Sequence, residues 1–238
     1  SQLVALQKQL AEINLAPFVA GAFECERVAP MQYFQTAEPR KLFAMGAVVA
    51  GPYSKPSLWD RVKSLDTLLW NYLPRGWIYQ NMTSHLRFFE KINASLFDDH
   101  QFATPKNTDR VWMEVEKEME NPHLFNLFSS IAIPNYSKAM QTFAFNQTLV
   151  NEAQIVCALE LHRLANGNYP ESLDALVPKF IAKLPHDLIG GQPLHYRRTP
   201  DGKFLLYSVG WNETDDNGSP GTLADVKNGD WVWQYPLQ

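Results

Sequence analysis

Residues 159–178 read LELHRLANGNYPESLDALVP, and the fold turns on how that stretch is parsed. Leu159 and Leu164 close an apolar stripe that begins far upstream. Gly167 stands where a helix stops, because glycine enters the left-handed backbone of a C′ residue at little steric cost. Pro170 forbids continuation: it has no N–H to donate, and its ring meets the preceding turn. Ser172, Leu173, Leu176 and Val177 then predict a short second helix, closed by Pro178.

Upstream, Tyr136, Met140, Phe143, Leu149, Ala153, Val156, Leu159 and Leu164 fall on one side of a helix over 135–167. At 1.5 Å per residue it spans roughly 45–50 Å. Downstream, PLHYRRT (193–199) and KFLLYSVG (203–210) flank Asp201-Gly202, and Asp-Gly between two apolar-leaning runs predicts a hairpin. DWVWQY (230–235) alternates as a last strand does. Residues 131–238 therefore predict a long helix packed on a small antiparallel sheet, and the fold class is α+β.

Residues 1–130 predict a mainly helical region. Leu3, Leu6, Leu10 and Ile13 mark an amphipathic helix. Pro17, Gly21, Pro30, Pro39, Gly46, Gly51, Pro52 and Pro56 break the next stretch, so short extended pieces such as KLFAMGAVVA (41–50) are expected there. Ser57 and Asp60 form a capping box for a helix through Leu58, Val62, Leu65 and Leu69, which Pro74 ends. A further helix over 77–97 presents Met82, Leu86, Phe89 and Leu96. Thr108 caps one through 111–120, interrupted at Pro122. The tryptophans of this half (59, 70, 77 and 112) are core candidates.

The 238 residues are 45% hydrophobic and 13% aromatic, the composition of a packed protein. A net charge of −4 and no basic run exclude a nucleic-acid backbone as partner. Cys25 and Cys157 stand far apart, without CxxC or metal spacing. No apolar stretch reaches the ~20 residues of a membrane helix. The first residue is Ser1, so any contact with a membrane is expected through an N-terminal anchor ahead of it. No G-x-S-x-G, HExxH, P-loop or G-x-G-x-x-G motif occurs.

Between Asn212 and Asp230 the chain holds Glu213, Asp215, Asp216, Asp225 and Asp230 against Lys227 alone. Calcium takes six to eight oxygen ligands of this kind, and a cation would offset the mutual repulsion of the carboxylates. Glu213, Asp215, Asn217 and Gly218 fall at places one, three, five and six of an EF-hand loop, but the twelfth is Ala224, which excludes a true EF-hand. Asp215, Asp216 and Asn217 are the first candidate ligands, with Asp225 and Asp230 as closers; the alternative is a solvated acidic turn.

Three elements in order now carry a resemblance. AIPNYSKA (132–139) opens the long helix, ALELHRLANGNYPESLDALVP (158–178) ends it, and YSVGWNETDDNGSPG (207–221) follows the hairpin. Together they resemble the type II secretion pseudopilin and type IV pilin-like pattern over about 131–235. The resemblance implies a long helix on a small sheet with a last loop that takes calcium. One departure matters: EVEKEMENPHLFNLFSSI (114–131) is charged where a pilin carries its apolar anchor. The expectation is thus a pseudopilin-like domain behind a helical region of another kind. It implies a non-catalytic protein of the bacterial periplasm or cell envelope, with a role in assembly or contact. The partners would be other envelope proteins or copies of itself.

Two other readings stand beside it. Trp211, Trp231 and Trp233 lie near the acidic loop, and alternation puts Trp231 and Trp233 on one strand face. Exposed, that face would suit a carbohydrate or other ligand; packed on the long helix, it would not. An enzyme with its site in the helical half is the third reading.

Overall fold

The computed structural model of the chain describes residues 2–35, 74–99, 101–127, 129–133, 135–221 and 227–233. Helices α1 (Gln2–Ala11), α2 (Ala16–Gln35), α3 (Arg75–Asn93), α4 (Pro105–Glu120), α5 (Ser129–Ala132) and α6 (Tyr136–Asn166) precede a 3-10 turn at Leu173–Leu176. Strands β1 (His195–Arg198), β2 (Phe204–Ser208) and β3 (Trp231–Val232) form one antiparallel sheet in the order β1-β2-β3. The class is α+β. The chain divides into two compact units, one of 1–19, 96–108 and 137–238, the other of 20–95 and 109–136.

In the first unit α6 runs 31 residues and stops at Asn166, with Gly167 at φ +83. The stop is then bolted to the sheet. The Tyr169 hydroxyl donates to the Glu160 carboxylate, nearly two helical turns back from the stop, and its ring meets Phe204 edge-on at 4.9 Å. The Tyr196 hydroxyl donates to Pro170 O at 2.8 Å, and Nδ1 of His162 faces Asn168 O at 2.9 Å. These bonds tie the segment after the stop to the helix and the sheet, while the last-turn carbonyl Arg163 O accepts from Gly167 N–H at 2.7 Å. The core lies where α6 crosses the sheet: Ile155, Ala158, Leu159, Tyr169, Leu176, Leu194 and Leu206 are buried together.

The buried stripe of α6 differs from the sequence expectation at its C-terminal end. Leu164 is exposed and Leu149 and Ala153 are half-buried, while Ala144, Ile155 and Ala158 are fully buried. The last turn, 163–166, is exposed throughout. The hairpin pairs His195 with Tyr207 and Arg198 with Phe204. Its loop closes through Gly202 N–H to Thr199 O at 3.0 Å, with Gly202 at φ +78, the left-handed place that Asp-Gly supplies. The short helix after Pro170 is the 3-10 turn.

The described part of the second unit is helical. Tyr136 is its hub: Phe23 lies 4.7 Å away, Phe89 5.1 Å and Trp112 6.4 Å, the first two edge-on. Edge-to-face rings set the positive rim of one against the negative face of another. Helix α3 buries Asn81, His85, Phe88, Phe89 and Ile92, so its inner face is rotated from the expected one; Met82 and Leu86 are half-buried. Asn81 is admitted because Nδ2 donates to Trp77 O at 3.0 Å and Leu124 O at 2.8 Å. Residues 16–35, expected in short extended pieces, are helix α2; Pro17 sits in its first turn, where the missing N–H has no helical partner to lose. Helix α4 starts at Pro105, so Thr108 lies inside it rather than capping it. The expected strand at 41–50 and helix at 58–69 lie outside the described residues.

Candidate functional site

The acidic loop leaves β2 at Ser208 and returns at β3. Its corner is Gly210, at φ +69; a Cβ there would sit 2.5 Å from Gly229 O, and a Cβ at Gly229, at φ +79, would sit 2.4 Å from Gly221 N, so each glycine permits a close approach of its own. Trp211 turns inward and is buried. Asn212 then folds the next residues locally: Oδ1 accepts from Thr214 N–H at 3.0 Å, and Nδ2 donates to Asp216 Oδ2 at 3.2 Å. Asn217 takes the left-handed backbone at φ +57 and Gly218 follows at φ +79.

Asp230, at the foot of β3, closes the loop. It is 2% exposed; Oδ1 accepts from Asp216 N–H at 3.2 Å and Oδ2 from Gly218 N–H at 2.6 Å. Its own N–H donates to Ser219 O at 3.0 Å. Burial pushes its carboxyl above the usual range and the Asp215 and Asp216 charges push the same way, while the two amides pull back. Asp230 thus serves as an internal anion around which the loop's amides converge.

Asp215 faces outward over the sheet. Oδ1 accepts from Asn217 N–H at 2.8 Å and from the Tyr207 hydroxyl at 3.1 Å; Oδ2 lies 3.6 Å from Nδ1 of His195, whose ring stacks on Tyr207 at 4.9 Å. The Asn217 amide, then Tyr207, His195 and Arg197, hold the Asp215 carboxyl below its ordinary value. Arg197 also donates to Asn217 O at 3.3 Å, and Lys106 Nζ pairs with Glu213 Oε2 at 2.7 Å.

Of the expected ligands, Asp215, Asp216, Asn217 and Asp230 are therefore gathered in one loop, and Asp225 lies outside the described residues. The gathering is organised by hydrogen bonds from the chain itself: Asp230 gives both oxygens to amides and Asp215 gives one to two donors. Among the described residues no three Asp, Glu, His or Cys side chains are placed to hold a metal ion. The relay of Tyr207 and His195 onto Asp215 escaped the sequence reading. Strand alternation gave no hint that the loop would fold back over β1 and β2.

The aromatic face does not meet the condition for a ligand surface. Trp231 is buried and meets Phe145 of α6 edge-on at 5.5 Å; Trp211 is buried, and half-buried Trp233 packs on the core. In the FDDH stretch, Asp98 Oδ1 accepts from Phe102 N–H at 2.8 Å and so fixes a turn. Cys25 and Cys157 are free thiols. Among the described residues no helix is long and apolar enough to cross a membrane. Comparison with family models, curated proteins and solved structures finds no match to this chain.

Proposed function

We propose that this chain is a non-catalytic assembly or contact protein of the bacterial cell envelope, its C-terminal part built as a pseudopilin-like module. The observation that carries the reading is the joint between helix and sheet. A 31-residue helix ends at Gly167, and Tyr169 and Tyr196 clasp that end to a three-stranded sheet whose last loop closes on Asp230. Such a joint makes a rigid body of a helix and a loop, which suits a part that is positioned against neighbours. The first unit also leaves Val4, Leu6 and Phe18 exposed, apolar surface suited to contact with other envelope proteins or another copy. In this reading calcium binds the last loop through the carboxylate oxygens its amides leave over, on Asp215 and Asp216. It would compete with amides for Asp230.

The test has two arms. Fractionation of the bacterium that carries the protein places it: recovery with the envelope supports the reading, and recovery in the cytosol alone sinks it. Sedimentation velocity from micromolar to several hundred micromolar protein, in calcium and in chelator, reads self-association. A monomer throughout would remove self-assembly and leave contact with other proteins.

A further inference from the structure

Helix α6 carries an acid where none is expected. Glu152 is fully buried, and neither of its carboxyl oxygens has a hydrogen-bond partner. One turn earlier, on the same face, the hydroxyl of fully buried Thr148 also lacks one. The neighbouring charge that acts on Glu152 is itself negative, that of Asp187, which is 2% exposed. The two segments are tied: Asn151 Nδ2 donates to His186 O at 3.1 Å. Asp187 is well supplied with donors. Its Oδ1 accepts from Ile189 N–H at 3.0 Å, and the Ser208 hydroxyl and Val209 N–H also donate to it. These hold it as the anion, although burial raises it to about 6. The two carboxyls are near enough to repel.

We propose that Glu152, Thr148 and Asp187 hold a calcium ion inside the first unit, at a site separate from the acidic loop. An uncompensated buried carboxylate is expensive, and structures avoid it by neutralising or pairing the group. A proton on Glu152 would remove its charge but leave the Thr148 hydroxyl without a partner. A cation settles both at once. The donors are all oxygen, two carboxylates and a hydroxyl, which selects a hard ion; a divalent one balances the two negative charges. Calcium accepts the irregular, largely dehydrated shell of a helix face and a loop, with main-chain carbonyls and water completing it. Magnesium demands a regular octahedron and keeps its water. Bound there, the ion would cross-link α6 to the 186–189 segment and, through Ser208 and Val209, to the end of β2.

The experiment is calorimetric titration of chelator-stripped protein with calcium chloride, magnesium and sodium chloride as controls, on the wild type, Glu152→Gln and Asp216→Asn. Thermal unfolding is measured in parallel. Glutamine keeps the shape of Glu152 and removes its charge, so this variant is expected to fold, with a melting temperature in chelator at least equal to the wild type's. The proposal expects a calcium site that Glu152→Gln abolishes and Asp216→Asn retains; a second site, lost with Asp216→Asn alone, is the acidic loop's. It also expects a calcium-dependent rise in melting temperature that shrinks with Glu152→Gln. Calcium binding with the same stoichiometry in the wild type and Glu152→Gln, or no calcium binding at all, overturns it. So does a wild type indifferent to calcium whose stability falls as pH rises above about 4.5 while Glu152→Gln stays level, since that is the mark of a buried proton.

Discussion

Asp230 bears the closest test of the acidic loop. Asp230→Ala removes the acceptor from two main-chain N–H groups at once, those of Asp216 and Gly218. A buried donor left without an acceptor costs about 1–3 kcal/mol, so the loss is about 4 kcal/mol if both are stranded. Asp230→Asn keeps one carbonyl oxygen and turns an NH2 toward the second amide; about 2 kcal/mol is expected. For a chain of this size 1 kcal/mol moves Tm by ~2–4 °C, which places asparagine ~4–8 °C below wild type and alanine about twice as far. Urea unfolding followed by tryptophan fluorescence is the assay, because Trp211 and Trp231 are buried at either end of the loop. It is run in chelator and again in calcium. The reasoning fails if Asp230→Ala lies within about 0.5 kcal/mol of wild type in chelator, the ordinary range of a surface substitution. A loss seen only in calcium would instead make Asp230 a metal ligand first and a loop clasp second.

Three further outcomes are expected. Tyr169→Phe keeps the ring against Phe204 and loses the bond to the Glu160 carboxylate, so a charge-assisted bond of about 2 kcal/mol goes, read by denaturant midpoint at unchanged m. Gly210→Ala and Gly167→Ala both force alanine to positive φ, at about 1 kcal/mol each, but only the first drives a Cβ to within 2.5 Å of Gly229 O; thermal melts must therefore rank Gly210→Ala as clearly the worse. Buried His85 has its pKa lowered to about 4 by desolvation, with Nε2 3.4 Å from Glu26 O acting the other way. Its folded value lies below its unfolded one, so its contribution is complete above about pH 6.5 and is lost as pH falls toward 4, about 3 kcal/mol in all. Stability measured across that window should fall less steeply in His85→Gln, and parallel curves for variant and wild type would refute it.

What the sequence made legible was local chemistry. Helix α6 could be bounded to within a residue because Gly167 and Pro170 end it by backbone sterics alone. The hairpin followed from Asp201-Gly202 for the same reason. The glycines that let the loop cross itself are visible as letters, but the need for them at 210 and 229 arises only from where two distant arms meet. Helix α2 was hidden because Pro17, Gly21 and Pro30 were counted as breakers; Pro17 falls in a first turn, while the helix continues through Gly21 and Pro30.

The deeper misses share one cause. A periodicity argument sorts residues by polarity, so it assigns every Asn, His, Thr and Glu to the outside. Asn81, His85, Thr148, Glu152 and Asp187 are all inside, each answering to a partner remote in sequence or to none among the described side chains. Two buried acids illustrate the difference. Asp230 sits where two amides converge, and its burial explains itself once the loop is drawn. Glu152 meets no donor and stands beside another carboxylate, so the chain's own hydrogen bonds give no reason for it to be an acid rather than its amide. An isosteric glutamine would fill the same space without a charge to neutralise. Glu152→Gln therefore separates a charge that is used from a buried proton, and it does so on the helix that determines the fold.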